Sequence, residues 1–127
     1  MIWGAGVPRR VVLSSVAQSD IDEIAFATVK RYGWGQFELY EAKMRRTLDE
    51  IVRAPHGVPA RVEPELTRLI GHASAVWSRH LGRRARHRWY YRVVDDAGAE
   101  VVQVARLLHD AMEPTRHVGE GFDDLSA

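Results

Sequence analysis

The chain has 127 residues, 46% hydrophobic and 28% charged, with a net charge of +1, which suits one globular domain with one core and excludes a disordered or collagen-like chain. It contains no cysteine, which excludes disulfides, thiolate zinc sites, iron–sulfur ligation and a cysteine nucleophile. No run of about 18 apolar residues occurs, and the arginines of MIWGAGVPRR follow a short apolar patch, so a membrane span and a secretory signal are not expected and a cytoplasmic location is.

Residues 1–8 carry Gly4, Gly6 and Pro8 without periodicity and are expected to form a flexible N-terminal arm; a first strand is expected at residues 9–13. Ser14 or Ser15 can cap a helix, Asp20, Asp22 and Glu23 favour its early turns, and Ala17, Ile21, Ile24, Thr28 and Tyr32 recur on one face until Gly33. A second apolar stripe, Phe37, Tyr40, Met44, Leu48 and Ile51, ends before Pro55. Helices joined so tightly fold back as an antiparallel hairpin.

Gly57, Pro59 and Pro64 mark an irregular connection, with one helical turn expected at residues 65–70. The period then becomes extended. Strands are expected at residues 75–81, 86–94 and 100–107; in the second, Trp89, Tyr91 and Val93 share one face while Arg88, Tyr90 and Arg92 share the other. Asp95, Asp96, Ala97 and Gly98 signal a hairpin turn. A short helix is expected within residues 110–118, and residues 119–127 read as a disordered acidic tail. The expected fold is α+β, in the order β-α-α-β-β-β, with a helical hairpin packed on an antiparallel sheet.

Charge is placed unevenly. Residues 66–94 hold no Asp or Glu, yet contain Arg68, Arg79, Arg83, Arg84, Arg86, Arg88 and Arg92 with three histidines. Lys30 and Lys43 are the only lysines, so the positive charge is nearly all guanidinium, the group suited to bidentate anion contacts and to stacking on rings. Arginine interleaved with Trp89, Tyr90 and Tyr91 fits a nucleic-acid surface, and equally a sheet with a basic outer face. No two of the six histidines stand four apart as a helical metal pair, so no metal is expected. The Gly-x-Gly pairs lack the strand–turn–helix context of a phosphate loop, so no cofactor is expected either.

In this order, LSSVAQSDIDEI (residues 13–24), TVKRYGWGQFELYEAKM (28–44), HRWYYRVVDD (87–96) and VARLLHDAMEPTRHV (104–118) resemble the RelE/ParE superfamily of type II toxin–antitoxin toxins, in its ParE-like branch. The most specific match is the Leu-His pair followed by a Met/Asp-Pro-x-Arg-His-like segment, reproduced by Leu108, His109, Met112, Pro114, Arg116 and His117. The similarity spans residues 9–118, leaving the arm and tail outside; the connection at residues 56–75 is longer than is common in the family.

The resemblance implies a growth-arresting toxin held in a hetero-oligomer by a cognate antitoxin, whose C-terminal portion occupies a groove between hairpin and sheet. It implies DNA gyrase as the target and no catalytic residue, with Arg83, Arg84, Arg86, Arg88, His109, Met112 and Arg116 as target-binding residues. The alternative it leaves open is a RelE-like ribosome-dependent mRNA endoribonuclease, in which His109 would be catalytic. Asp110, where an arginine would assist cleavage, weighs against that alternative because a carboxylate repels phosphate. A DNA-binding regulator is disfavoured because the helix pair lacks a basic recognition helix.

Overall fold

In the computed structural model, which describes residues 9–126 and so leaves the expected arm outside the described residues, the first half of the chain follows its local signals. Strand β1 (Arg10–Leu13) enters helix α1 (Ser15–Tyr32) through Ser14, whose side-chain oxygen accepts from the Ala17 N–H at 2.9 Å and caps the helix. Gly33 alone separates α1 from α2 (Trp34–Arg53); its φ of +90° lies in the region that favours glycine. The helix α2 buries Met44 and Ile51 from the expected stripe, with Phe37, Tyr40 and Leu48 packed beside them. On α1 the stripe is shorter than expected, because Tyr32 at its end is 64% exposed.

Strands β2 (Arg61–Val62), β3 (Trp77–His80), β4 (His87–Asp96) and β5 (Ala99–His109) join β1 in a five-stranded sheet ordered β1-β5-β4-β3-β2. Ala97 and Gly98, at φ of +55° and +86°, form the turn between β4 and β5 within the expected hairpin signal, shorter than expected because Asp95 and Asp96 still pair in the strand. The sheet is mixed, not antiparallel as expected: β1 lies parallel to β5, whereas the other neighbours are antiparallel. Alternation along a strand reveals its faces but not its direction, which the path of the whole chain sets. The connection after α2 also contains β2, too short to show a period, and the expected helical turn as α3 (Pro64–Ile70).

The C-terminus requires a second correction. Where a disordered acidic tail was expected, helix α4 (Val118–Ser126) buries Val118, Gly121 and Phe122 and leaves Glu120, Asp123 and Asp124 exposed. Nine residues carry too little intrinsic helix signal to stand alone; packing against the sheet orders them. Phe122 and Val118 join Leu66, Tyr90 and Leu108 in a core on the sheet face opposite the α1–α2 hairpin. Both faces are therefore covered, and the domain runs past residue 118.

A β-bulge sets how the two cores divide β5. Tyr90 pairs with Arg106 but Tyr91 pairs with Val104, so Ala105 is the extra residue. Val104 and Leu107 consequently both face the hairpin, while Ala105 and Leu108 both face α4. The Ala105 carbonyl accepts from the Ser14 hydroxyl at 2.6 Å, and no Cβ would fit between it and Gly121. Beside the bulge, Arg106 Nε and Nη2 each donate to a carboxylate oxygen of Asp20 at 2.8 Å, the Leu107 N–H donates to the same carboxylate at 3.0 Å, and Arg106 Nη1 donates to the His117 carbonyl at 3.1 Å.

Two substitutions test this packing. Phe122→Ala should lower unfolding free energy by about 3–5 kcal/mol in urea titration; unchanged stability would mean that α4 does not pack. Asp20→Ala, which leaves the Arg106 guanidinium buried without its carboxylate, should cost about 3–5 kcal/mol by the same measurement.

Candidate functional site

The bottom ends of β4 and β5 bring together the two stretches singled out in the sequence. His87 pairs with His109 across the strands, and the Asp110 N–H donates to the Arg86 carbonyl at 2.7 Å, extending the contact one step beyond them. The imidazole rings of His87 and His109 meet edge to face, with centroids 5.2 Å apart. From α2, the Tyr40 hydroxyl lies 2.5 Å from His87 Nδ1 and accepts from the Arg86 N–H at 3.0 Å.

Hydrogen bonding orients the rings of this cluster and selects their neutral tautomers. The Tyr40 oxygen accepts from Arg86, and its own proton finds an acceptor when it points to His87 Nδ1 and the imidazole carries its proton on Nε2. His109 Nδ1 accepts from the Ala111 N–H at 3.0 Å, and His80 Nδ1 accepts from the Gly82 N–H at 3.0 Å while its Nε2 meets the Asp110 carboxylate at 3.0 Å. All three rings thus keep their proton on Nε2 when neutral. Burial, helped by the neighbouring His109, lowers His87 from its ordinary 6.5 to about 4. Burial likewise raises the Tyr40 hydroxyl above its ordinary value, so the phenol keeps its proton.

Two clefts flank the cluster. One, of about 390 Å³, lies between α1 and the end of β5, with apolar walls from Ile24, Ala27, Leu107 and Met112 and with Glu23, His87 and His109 at its polar side. The other, of about 490 Å³, opens on the opposite side of the segment after β5, among Arg61, His80, Arg88, Tyr90 and Asp110. Met112 lines both and forms the ridge between them.

The residues expected to bind a target are gathered in part. Arg83, Arg84 and Arg86 are exposed in the β3–β4 turn, where Arg84 adopts φ of +62° and the Arg83 carbonyl accepts from Lys43 Nζ at 2.8 Å. His109 and Met112 are exposed beside this turn. Arg88 turns to the second cleft, where it donates to Ser78 Oγ at 3.0 Å, and its pKa is lowered by burial and by the charge of Arg61. Arg116 is exposed in a 3₁₀ turn (Pro114–Arg116) and lines neither cleft.

The expectation of a stacking surface for nucleic acid is not met. Trp89, Tyr90 and Tyr91 are 1%, 6% and 0% exposed, so no base can reach a ring face. Arg92, expected on a basic outer face, is 3% exposed; its guanidinium lies 4.4 Å from the centre of the Phe122 ring and donates to Gln103 at 2.8 Å. Sequence reasoning also missed Tyr40 as a partner of His87: its place in the apolar stripe marks it as core, and no local signal links residues 47 apart. Among the described residues no three His, Asp or Glu side chains gather to hold a metal ion, and no helix is long and apolar enough to cross a membrane.

No family model, curated protein or solved structure matches the chain.

The lowered His87 pKa has a defined consequence for stability. Between pH 6.5 and about 4 the unfolded chain holds more protons at this imidazole than the folded one, so this contribution makes stability fall as pH falls through that window. His87→Gln should flatten that part of the curve in urea titrations. An NMR midpoint for His87 near 6.5 would instead show a solvated ring.

Proposed function

We propose that the chain is the toxin of a type II toxin–antitoxin pair, of the ParE-like kind, acting in the cytoplasm by binding DNA gyrase and neutralised by a cognate antitoxin in a hetero-oligomer. The family resemblance of the LLHDAMEPTRHV stretch (residues 107–118) suggests the class, and an α+β domain with a helix pair on one sheet face is compatible with it. The choice of target rests on one observation, the occupied Nδ1 atoms of His87 and His109. With those lone pairs taken and the protons on Nε2, the neutral rings offer hydrogen-bond donors but no free base to abstract a proton. Donor groups, the Met112 ridge and the uncovered arginines at positions 83, 84 and 86 suit a protein surface, where shape and charge carry the affinity.

A second reading, the ribosome-dependent mRNA endoribonuclease, is favoured by the proximity of the two imidazoles, with His109 as the proton-transfer residue. Asp110, paired with His80 at the same rim, opposes a phosphate there.

The two readings separate on purified material. His109→Gln should leave inhibition of gyrase supercoiling nearly intact, whereas Arg83→Glu/Arg84→Glu/Arg86→Glu should abolish it. Cleavage of mRNA on translating ribosomes, falling by about 10²- to 10⁴-fold in His109→Gln while supercoiling stays untouched, would overturn the gyrase assignment.

A further inference from the structure

The α1–α2 corner exposes aromatic side chains that the fold does not use. Phe26, Tyr32 and Trp34 are 72%, 64% and 69% exposed, although α1 buries its opposite side against the sheet. Phe26, Val29 and Trp34 line an almost wholly apolar groove of about 320 Å³. Singly exposed apolar residues are ordinary, but Phe26 and Trp34 lining one groove, with Tyr32 exposed on the last turn of α1, mark a contact surface.

The charge around the groove indicates what would cover it. The Lys30 ammonium lies 5.8 Å from the Phe26 ring centre and the Arg31 guanidinium 5.5 Å from that of Tyr32. Among the described residues neither cation forms an ion pair with a carboxylate. A second copy of the chain, docked by two-fold symmetry, would bring these like charges to one interface.

We propose that this apolar groove, with Lys30 in its lining and Arg31 next to it in the last turn of α1, docks an acidic amphipathic helix of a partner protein, with apolar side chains against Phe26 and Trp34 and carboxylates toward the two cations. In the toxin–antitoxin reading that helix belongs to the antitoxin. Its assignment to the antitoxin rests on that reading, but the docking chemistry does not. The site is separate from the arginine turn and from the His109 cleft, so a neutralising partner held here leaves the target surface to be blocked by another part of the same partner.

The probe is a synthetic peptide of about 15 residues, enough for roughly four helical turns, with Leu and Phe at i, i+3, i+4 and i+7 and Glu on the flanks. Its Lys-flanked counterpart is the control. Titrated into the full chain, the Glu peptide should shift Trp34 fluorescence to the blue. Lys30→Glu/Arg31→Glu and Phe26→Ala should each weaken binding by about tenfold or more, with unchanged circular dichroism because these side chains are exposed. No binding, equal binding of the Lys-flanked peptide, or full retention in Phe26→Ala would overturn the proposal. So would concentration-dependent self-association that Trp34→Ala abolishes, which would identify a second copy as the occupant. Growth arrest by the wild-type chain expressed alone is read separately: its absence would sink the toxin reading and leave the peptide titration to decide the groove.

Discussion

The Asp20 carboxylate organises this molecule. It sits on α1, takes both Nε and Nη2 of Arg106 from the middle of β5, and takes the Leu107 N–H as well. Both side chains are about nine-tenths buried, a setting in which an ion pair offsets its desolvation only when its geometry is good and its remaining donors are satisfied. Here they are satisfied: the remaining arm of Arg106 donates to the His117 carbonyl and faces Glu120 at 3.6 Å. Donating these hydrogen bonds to the Asp20 carboxylate raises the Arg106 pKa, so the guanidinium remains charged. One cluster thus fixes the helical hairpin to β5 and the C-terminal segment to both.

The bulge at Ala105 makes this cluster compatible with two cores. A strand in strict alternation would place Val104 and Leu107 on opposite faces, whereas the extra residue brings both under the hairpin and hands Ala105 and Leu108 to α4. The close pass of Gly121 over the Ala105 backbone then lets α4 lie low enough for Phe122 to cover Arg92. A region that reads as a continuous basic face becomes mostly interior. Among the arginines from Arg79 to Arg92, the positive charge that stays available is confined to Arg83, Arg84 and Arg86 in the β3–β4 turn and to Arg88 at its cleft.

That confinement bears on chemistry. Histidines, arginines and a tyrosine gathered at one strand end resemble the ingredients of acid–base catalysis, but their hydrogen bonds direct the imidazole lone pairs back into the protein. His87 is neutral near pH 7 because of burial, and a neutral ring with Nδ1 engaged is a donor and a wedge. The same atoms that would make a nuclease in another arrangement favour a recognition surface in this one.

The sequence determined much by itself. Ser14 as a cap, Gly33 as the break, the Met44 and Ile51 stripe, the faces of Trp89, Tyr90 and Tyr91, and the Ala97–Gly98 turn all follow from local backbone preference and periodicity, which neighbouring residues settle among themselves. The meeting of the arginine turn with the segment after β5 was legible only as two separate motifs. Strand direction, the β2 pairing, the bulge, the order of α4, the Tyr40–His87 contact and the Asp20 clamp were decided by tertiary structure alone. Each depends on partners between 11 and 91 residues away or on which element covers which face, and a hydrogen bond or a buried ring leaves no period in the sequence to reveal its distant partner.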